Sequence, residues 1–357
     1  MISRNVAGSS FGLCSGGSRR TGGVSSDGGG GGGVGIGLIV ALAIALVAGP
    51  AAAQTIDTAG VTGMSVQEVV GQMQQHKLWI LLISNALVVA LLFAGGLLVP
   101  GGFAKAGIRD VTPMPAALWL FAGLVVFLAW SSAATVINRS QWIQNSDLDE
   151  FQRSVVVSLC GYAFGIVAGL GMLFILKRSA PNAGMKLSWL DFPVGLGCFM
   201  LAYPFLELAS MAGVALYTQL SDGGAPPRIA HPVLQTLVDN PKDFWAWGMV
   251  AGAVIGAPFV EELIYRVFLQ GALLKITRSP WIAILVTSIL FALMHRAGST
   301  PVPWHALLPI FAVGIACGVG YERTKRVGVP IMIHLCFNAL NVILALLVGP
   351  EASATGV

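Results

Sequence analysis

Charge is what this sequence lacks most. Of its 357 residues only 10% are Asp, Glu, Lys or Arg, whereas 55% are hydrophobic. A soluble domain carries about 25% charged residues, so a single water-facing fold is excluded and the apolar surface requires lipid. The net charge of +4 is spread along the chain without a basic block, which argues against nucleic acid as a partner. Cysteine is scarce as well. The five present, Cys14, Cys160, Cys198, Cys317 and Cys336, are far apart and show no CxxC or other metal-ligand spacing. They read as small buried hydrophobes, not as a disulfide framework. The apolar runs also lack the alternation of a barrel strand, which leaves helices as the spanning elements.

What is present begins with a Gly/Ser-rich segment over residues 1–33 that is too polar to bury a core and is expected to be disordered. Arg4, Arg19 and Arg20 precede the apolar run 34–49, and Ala51-Ala52-Ala53 follows it. Together they read as a leader over residues 1–53, a secretory signal with cleavage after Ala53 or an uncleaved anchor. Apolar runs then lie at about 78–99, 115–137, 154–176, 192–219, 244–274, 280–296, 304–321 and 329–348. Measured against the ~20 residues of a spanning helix, they predict an all-α, polytopic transmembrane bundle of seven or eight spans. The runs 280–296 and 304–321 are near the short limit, so one of them is expected to be partly re-entrant. Residues 54–190 form an N-terminal membrane region with three spans, and 191–350 a second region that holds the polar residues described next. Lys and Arg between spans number ten on one side and six on the other. The positive-inside rule therefore puts the mature N-terminus and the C-terminus outside, and the bacterial-style leader makes a bacterial inner membrane the expected location.

A charged residue inside a spanning helix costs roughly 2.5–3.5 kcal/mol on insertion scales. The run 244–274 nevertheless holds Glu261, Glu262 and Arg266. Glu262 and Arg266 are four apart with the acid first, the order that favours an ion pair. Glu261 lies about 100° around the helix without that partner, a setting that suits a carboxylate for general-base work. A structural ion-pair knot is the plainer reading of the same residues. His295 ends the next run. His334 and Asn338 share one face of the last, with Asn341 continuing the stripe, and each of these alone is compatible with helix-to-helix hydrogen bonding. Together they supply a carboxylate, two imidazoles and an amide, the groups needed to hydrolyse an amide bond. By helical rise Glu261 and His295 lie about 20 Å from the helix ends on one side and His334 about 8 Å; a tilted or re-entrant segment would reconcile the depths. Glu207, beside Tyr203 and Pro204, is expected to bond to a tyrosine or to backbone. His305 beside Trp304 marks an interface, and His76 and His231 lie in aqueous segments with no role.

Glu261-Glu262-Leu263-Ile264-Tyr265-Arg266 resembles the EExxxR motif of the CAAX-protease and bacteriocin-processing (CPBP) family, which also includes abortive-infection proteins. Phe291-Ala292-Leu293-Met294-His295 is similar to its FxxxH motif and His334-Leu335-Cys336-Phe337-Asn338 to its HxxxN motif, in the family's order. The resemblance implies an intramembrane endopeptidase acting on a membrane-anchored peptide or protein. Glu261 and His295 would activate water, and His334 and Asn338 would stabilise the oxyanion, while Glu262 and Arg266 would shape the site. The family is often labelled metalloprotease. Zinc held by Glu261, His295 and His334 is therefore an alternative, although the absence of HExxH favours metal-free activation. A scaffold or immunity protein of the same fold is the competing reading, and a transporter a more distant one.

Overall fold

Leucine, valine, alanine and glycine fill runs of 20 or more residues, and a backbone in lipid must satisfy its own hydrogen bonds, so the chain folds into helices. The computed structural model describes residues 66–348 apart from 98, 100, 104–106, 222–225, 228, 230 and 298–300. The predicted leader lies outside the described residues, which all belong to one compact unit, Ala45–Val357. The helices of eight residues or more among the described residues are α1 (Val66–Ala94), α2 (Ala116–Asn138), α3 (Glu150–Ser179), α4 (Asp191–Leu220), α5 (Pro232–Asp239), α6 (Phe244–Thr277), α7 (Pro280–Met294), α8 (Leu307–Thr324) and α9 (Gly328–Val348). Among the described residues there is no strand beyond isolated bridges from Met185 and Lys186 to Arg326.

Among the described residues seven helices are long and apolar enough to cross a membrane, and the chain is an integral membrane protein. The exception is α7, whose 15 residues reach only about 22 Å against a hydrocarbon core of roughly 30 Å. The short run at 280–296 is thus a short helix, whereas the run at 304–321 lies within a full-length one. At 34 residues α6 is the opposite case. Its length of about 51 Å exceeds the bilayer core, so residues counted inward from its end sit less deep than the rise suggests.

Two apolar clusters share α6. One joins it to α2 and α3 through Trp119, Val126, Leu173, Val260, Leu263 and Phe268. The other joins α4, α7, α8 and α9 through Phe199, Phe291, Val313, Val329 and Ile333, with Tyr265 of α6 packed against it. The apolar windows of α1–α4 are 17–28% buried, against 44% for α6 and for the span that holds α8 and 39% for α9. One end of α6 is tied down by a buried polar knot. Arg109 donates from Nε (2.9 Å) and Nη2 (2.7 Å) to Glu322 Oε1 and lies over the Tyr321 ring at 4.1 Å, while Gln270 of α6 donates to the same oxygen at 2.8 Å.

Glu207 pairs with Lys77 of α1; the expected bond to tyrosine or backbone is not its partner. Nearby, Asn85 donates to the carbonyl of Pro204, inside α4, at 3.0 Å. Of the cysteines, Cys317 is buried and Cys160, Cys198 and Cys336 are half-buried, all as free thiols; Cys14 lies outside the described residues.

Close approach of backbones needs glycine at Gly213, where an added Cβ would lie 2.2 Å from the carbonyl oxygen of His305. Gly213→Ala is expected to destabilise the protein by about 1–3 kcal/mol, read as a lower thermal midpoint in detergent. Gly171→Ala on α3, where a Cβ meets nothing within 4 Å, should be neutral or slightly stabilising.

Candidate active site

The polar centre is built on α6, α7 and α9, and irregularity in α6 shapes it. Two π-helical stretches, Gly252–Gly256 and Leu263–Leu269, flank the α-helical turn Ala257–Glu262. Such bulges gather at functional sites because they turn side chains out of α-helical register and release carbonyls. Here the N–H of Ala257 bonds to Gly252 O, so Ala253 O lacks its ordinary α-helical donor. The side-chain amide of Asn338 on α9 donates to it at 2.8 Å. One hydrogen of that amide remains for another acceptor.

Glu262 is the hub. Its Oε2 lies 2.9 Å from Arg266 Nε, the ion pair expected from their spacing. The Nε–H does not point along that line, so the contact is electrostatic, not a directed hydrogen bond. Oε1 lies 3.0 Å from His334 Nδ1. Glu262 and Arg266 are fully buried, and His334 is buried with them. A carboxylate can only accept, so the ring donates from Nδ1 and its Nε2 faces outward from the pair. The same logic fixes His295, the C-cap of α7. Its Nδ1 lies 2.8 Å from the carbonyl of Phe291, so Nδ1 carries the proton and the neutral ring presents a lone pair on Nε2.

Phe291 sets the spacing of the centre. Its ring is edge-on to His295 (centroids 4.8 Å), to His334 (5.4 Å) and to Tyr265 (5.3 Å), with the Arg266 guanidinium over it at 4.9 Å. Sequence reading recorded Phe291 only as a motif letter; its distance of four from His295 was the available signal. Glu261, next to Glu262, is half-buried, and its Oε2 is buried without a hydrogen-bond partner. Tyr162 packs against Gly256, where an added Cβ would lie 2.8 Å from its ring, and closes the side of α6 towards α3. Asn341 bonds back to its own helix at Phe337 O, 2.8 Å, and does not extend the polar stripe.

The structure therefore joins Glu262, Arg266 and His334 by direct contacts, sets His295 beside them across Phe291, and anchors Asn338 to α6. The zinc alternative meets a geometric obstacle. Among the described residues no group of three His, Cys, Asp or Glu side chains is gathered to hold a metal ion. Glu261, His295 and His334 do not make a ligand shell in this arrangement, and no step is routed through a metal.

These features define a class: an all-helical integral membrane protein with ionisable and amide side chains from three helices converging inside the bundle. Residues 243–340 match the family described as type II CAAX prenyl endopeptidase, Rce1-like. The candidate membrane peptidase YdiL of Bacillus subtilis (strain 168) is 34% identical over 98 residues, covering 28% of this chain and 37% of that protein. The membrane-embedded CAAX protease MroQ of Staphylococcus aureus (strain USA300) is 34% identical over 106 residues, covering 28% of this chain and 39% of that protein. The chain thus spans about two fifths of the length of these relatives. No solved structure matches it.

Proposed function

We propose that the protein is an intramembrane endopeptidase of the bacterial inner membrane, hydrolysing a peptide bond in a membrane-anchored peptide or protein. The observation that carries this reading is the fully buried Glu262 bridging Arg266 and His334, beside a Glu261 carboxylate whose Oε2 has no partner. Buried charges are retained only when paired or used. Glu262 and Arg266 are paired; Glu261 is the one left for use.

Glu261 and His295 Nε2 hold a water between them and take its proton as its oxygen attacks the scissile carbonyl. The carbonyl π pair moves onto oxygen, giving a tetrahedral oxyanion. His334, protonated on both nitrogens with its Nδ1–H held by Glu262, donates to that oxygen from Nε2, and the remaining N–H of Asn338 donates beside it; one such donor is typically worth about 10²–10³ in rate. Collapse restores the carbonyl and breaks the C–N bond. The proton taken from water passes to the leaving nitrogen, yielding a carboxylate and an amine.

The test is cleavage by purified protein in liposomes of a library of membrane-anchored peptides, with and without chelator. Cleavage that survives chelation and disappears in both Glu261→Ala and His295→Ala is expected. Loss on chelation with recovery on adding zinc would overturn the metal-free mechanism. A wild type that cleaves nothing, with a Glu261→Ala strain that keeps the cellular phenotype, would establish the scaffold reading instead.

A further inference from the structure

Tyr265 touches the polar centre, yet neither the three motifs nor the mechanism above gives it a part. It sits in the π-helical stretch Leu263–Leu269 of α6, directly before the buried Arg266. Its ring meets Phe291 edge-on, with centroids 5.3 Å apart and planes at 83°. The same Phe291 ring carries His295 at 4.8 Å and His334 at 5.4 Å. The phenol and both imidazoles are thus arranged around one aromatic ring. Tyr265 follows Glu261 by four residues, so the two are neighbours along the surface of α6. Helical side chains lean back over the preceding turn, which directs the tyrosine ring towards the Glu261 end of the site. Phe199 of α4 and Ile333 of α9 complete the apolar cluster against which the ring packs.

The side chain is half-buried, and its hydroxyl makes no hydrogen bond among the described residues. Unlike the orphaned hydroxyl of Tyr321, it is not sealed in. A tyrosine inside an apolar bundle ordinarily finds a partner for its O–H, and here that donor is left for a bound molecule.

We propose that Tyr265 is a further catalytic residue, its phenolic O–H donating a hydrogen bond to the reacting carbonyl oxygen of the substrate. As water adds and the carbonyl π pair moves onto oxygen, that bond strengthens while the proton stays on the phenol, so no further proton acceptor is required. A donor fixed in place before the reaction costs no reorganisation as charge develops, and it acts more strongly in a water-poor bundle than in water. This rests on the protease reading above.

Two substitutions separate the hydroxyl from the ring. Tyr265→Phe keeps the edge-on contact with Phe291 and removes the O–H alone, whereas Tyr265→Leu removes the ring as well. The assay uses purified protein in liposomes and a quenched fluorescent peptide with one apolar anchor, taken from those the wild type cleaves. Tyr265→Phe is expected to lower kcat about 10²-fold, the lower end for one lost oxyanion donor, with KM and thermal midpoint unchanged. Tyr265→Leu is expected to lose at least as much activity and to lower the midpoint. Full activity in Tyr265→Phe with loss only in Tyr265→Leu overturns the proposal, because the ring would then serve packing alone. A raised KM with kcat kept, or a lowered midpoint in Tyr265→Phe, overturns it too, because the hydroxyl would then hold only the ground state or brace the fold. Glu261→Gln is run alongside. If it cleaves as well as wild type, the protease site as assigned is wrong and the role of Tyr265 falls with it; if it is inactive while Tyr265→Phe keeps full activity, only the role of Tyr265 fails.

Discussion

Replacing Glu261 by Gln is expected to lower kcat by about 10²–10⁴-fold, the range for removal of a general base, while leaving the fold as stable as before or more so. The amide has nearly the same shape, so the packing around it is unchanged. The Oε2 position is buried and unpartnered, and exchanging a buried carboxylate for an amide removes a desolvation cost without breaking any pair. Measuring cleavage and the thermal midpoint on one preparation decides between base and strut. A carboxylate that braced the bundle would give the opposite pattern, with activity largely kept and the midpoint lowered.

The Glu262–Arg266 pair is expected to give the largest stability effects in the protein. Glu262→Leu leaves the fully buried guanidinium uncompensated, and Arg266→Met leaves the carboxylate with His334 alone. Breaking a buried pair from one side typically costs about 3–5 kcal/mol. The double variant should recover most of that loss, since two apolar side chains of similar volume need no partners. Cleavage should not return with stability, because His334 Nδ1 then has no acceptor at 3.0 Å and its ring is free to turn. Thermal unfolding of the four proteins and cleavage by each make the test. A double variant that regains both stability and activity would reduce Glu262 to a purely structural role.

Spacing and the covalent geometry of the helix are enough to foresee part of this site. Two residues four apart on a helix meet whatever surrounds them, so the Glu262–Arg266 contact could be read directly. Motif order likewise places His295, His334 and Asn338 in the family pattern before any packing is known. The bond from His334 to Glu262 was not legible, because it crosses from α9 to α6 and depends on how two helices are rotated against each other. The pairing of Glu207 with Lys77 also joins distant segments, and a local reading looked instead to its nearest polar neighbours.

The sequence by itself determined the class of the molecule. A charged fraction of 10% and repeated apolar runs leave no soluble solution, and hydrogen-bond satisfaction in lipid leaves only helices. It also determined which side chains are too costly to sit in those helices without a reason. Tertiary structure decided what each of them does. The π-helical stretch Gly252–Gly256 in α6 releases the carbonyl that Asn338 meets. The bonds made at each Nδ1 decide which nitrogen of a neutral His295 or His231 carries the proton, and that Nε2 is the nitrogen His334 has left for another partner. Those are properties of contacts between helices, which a linear pattern does not encode because burial and partner geometry exist only once the bundle has closed.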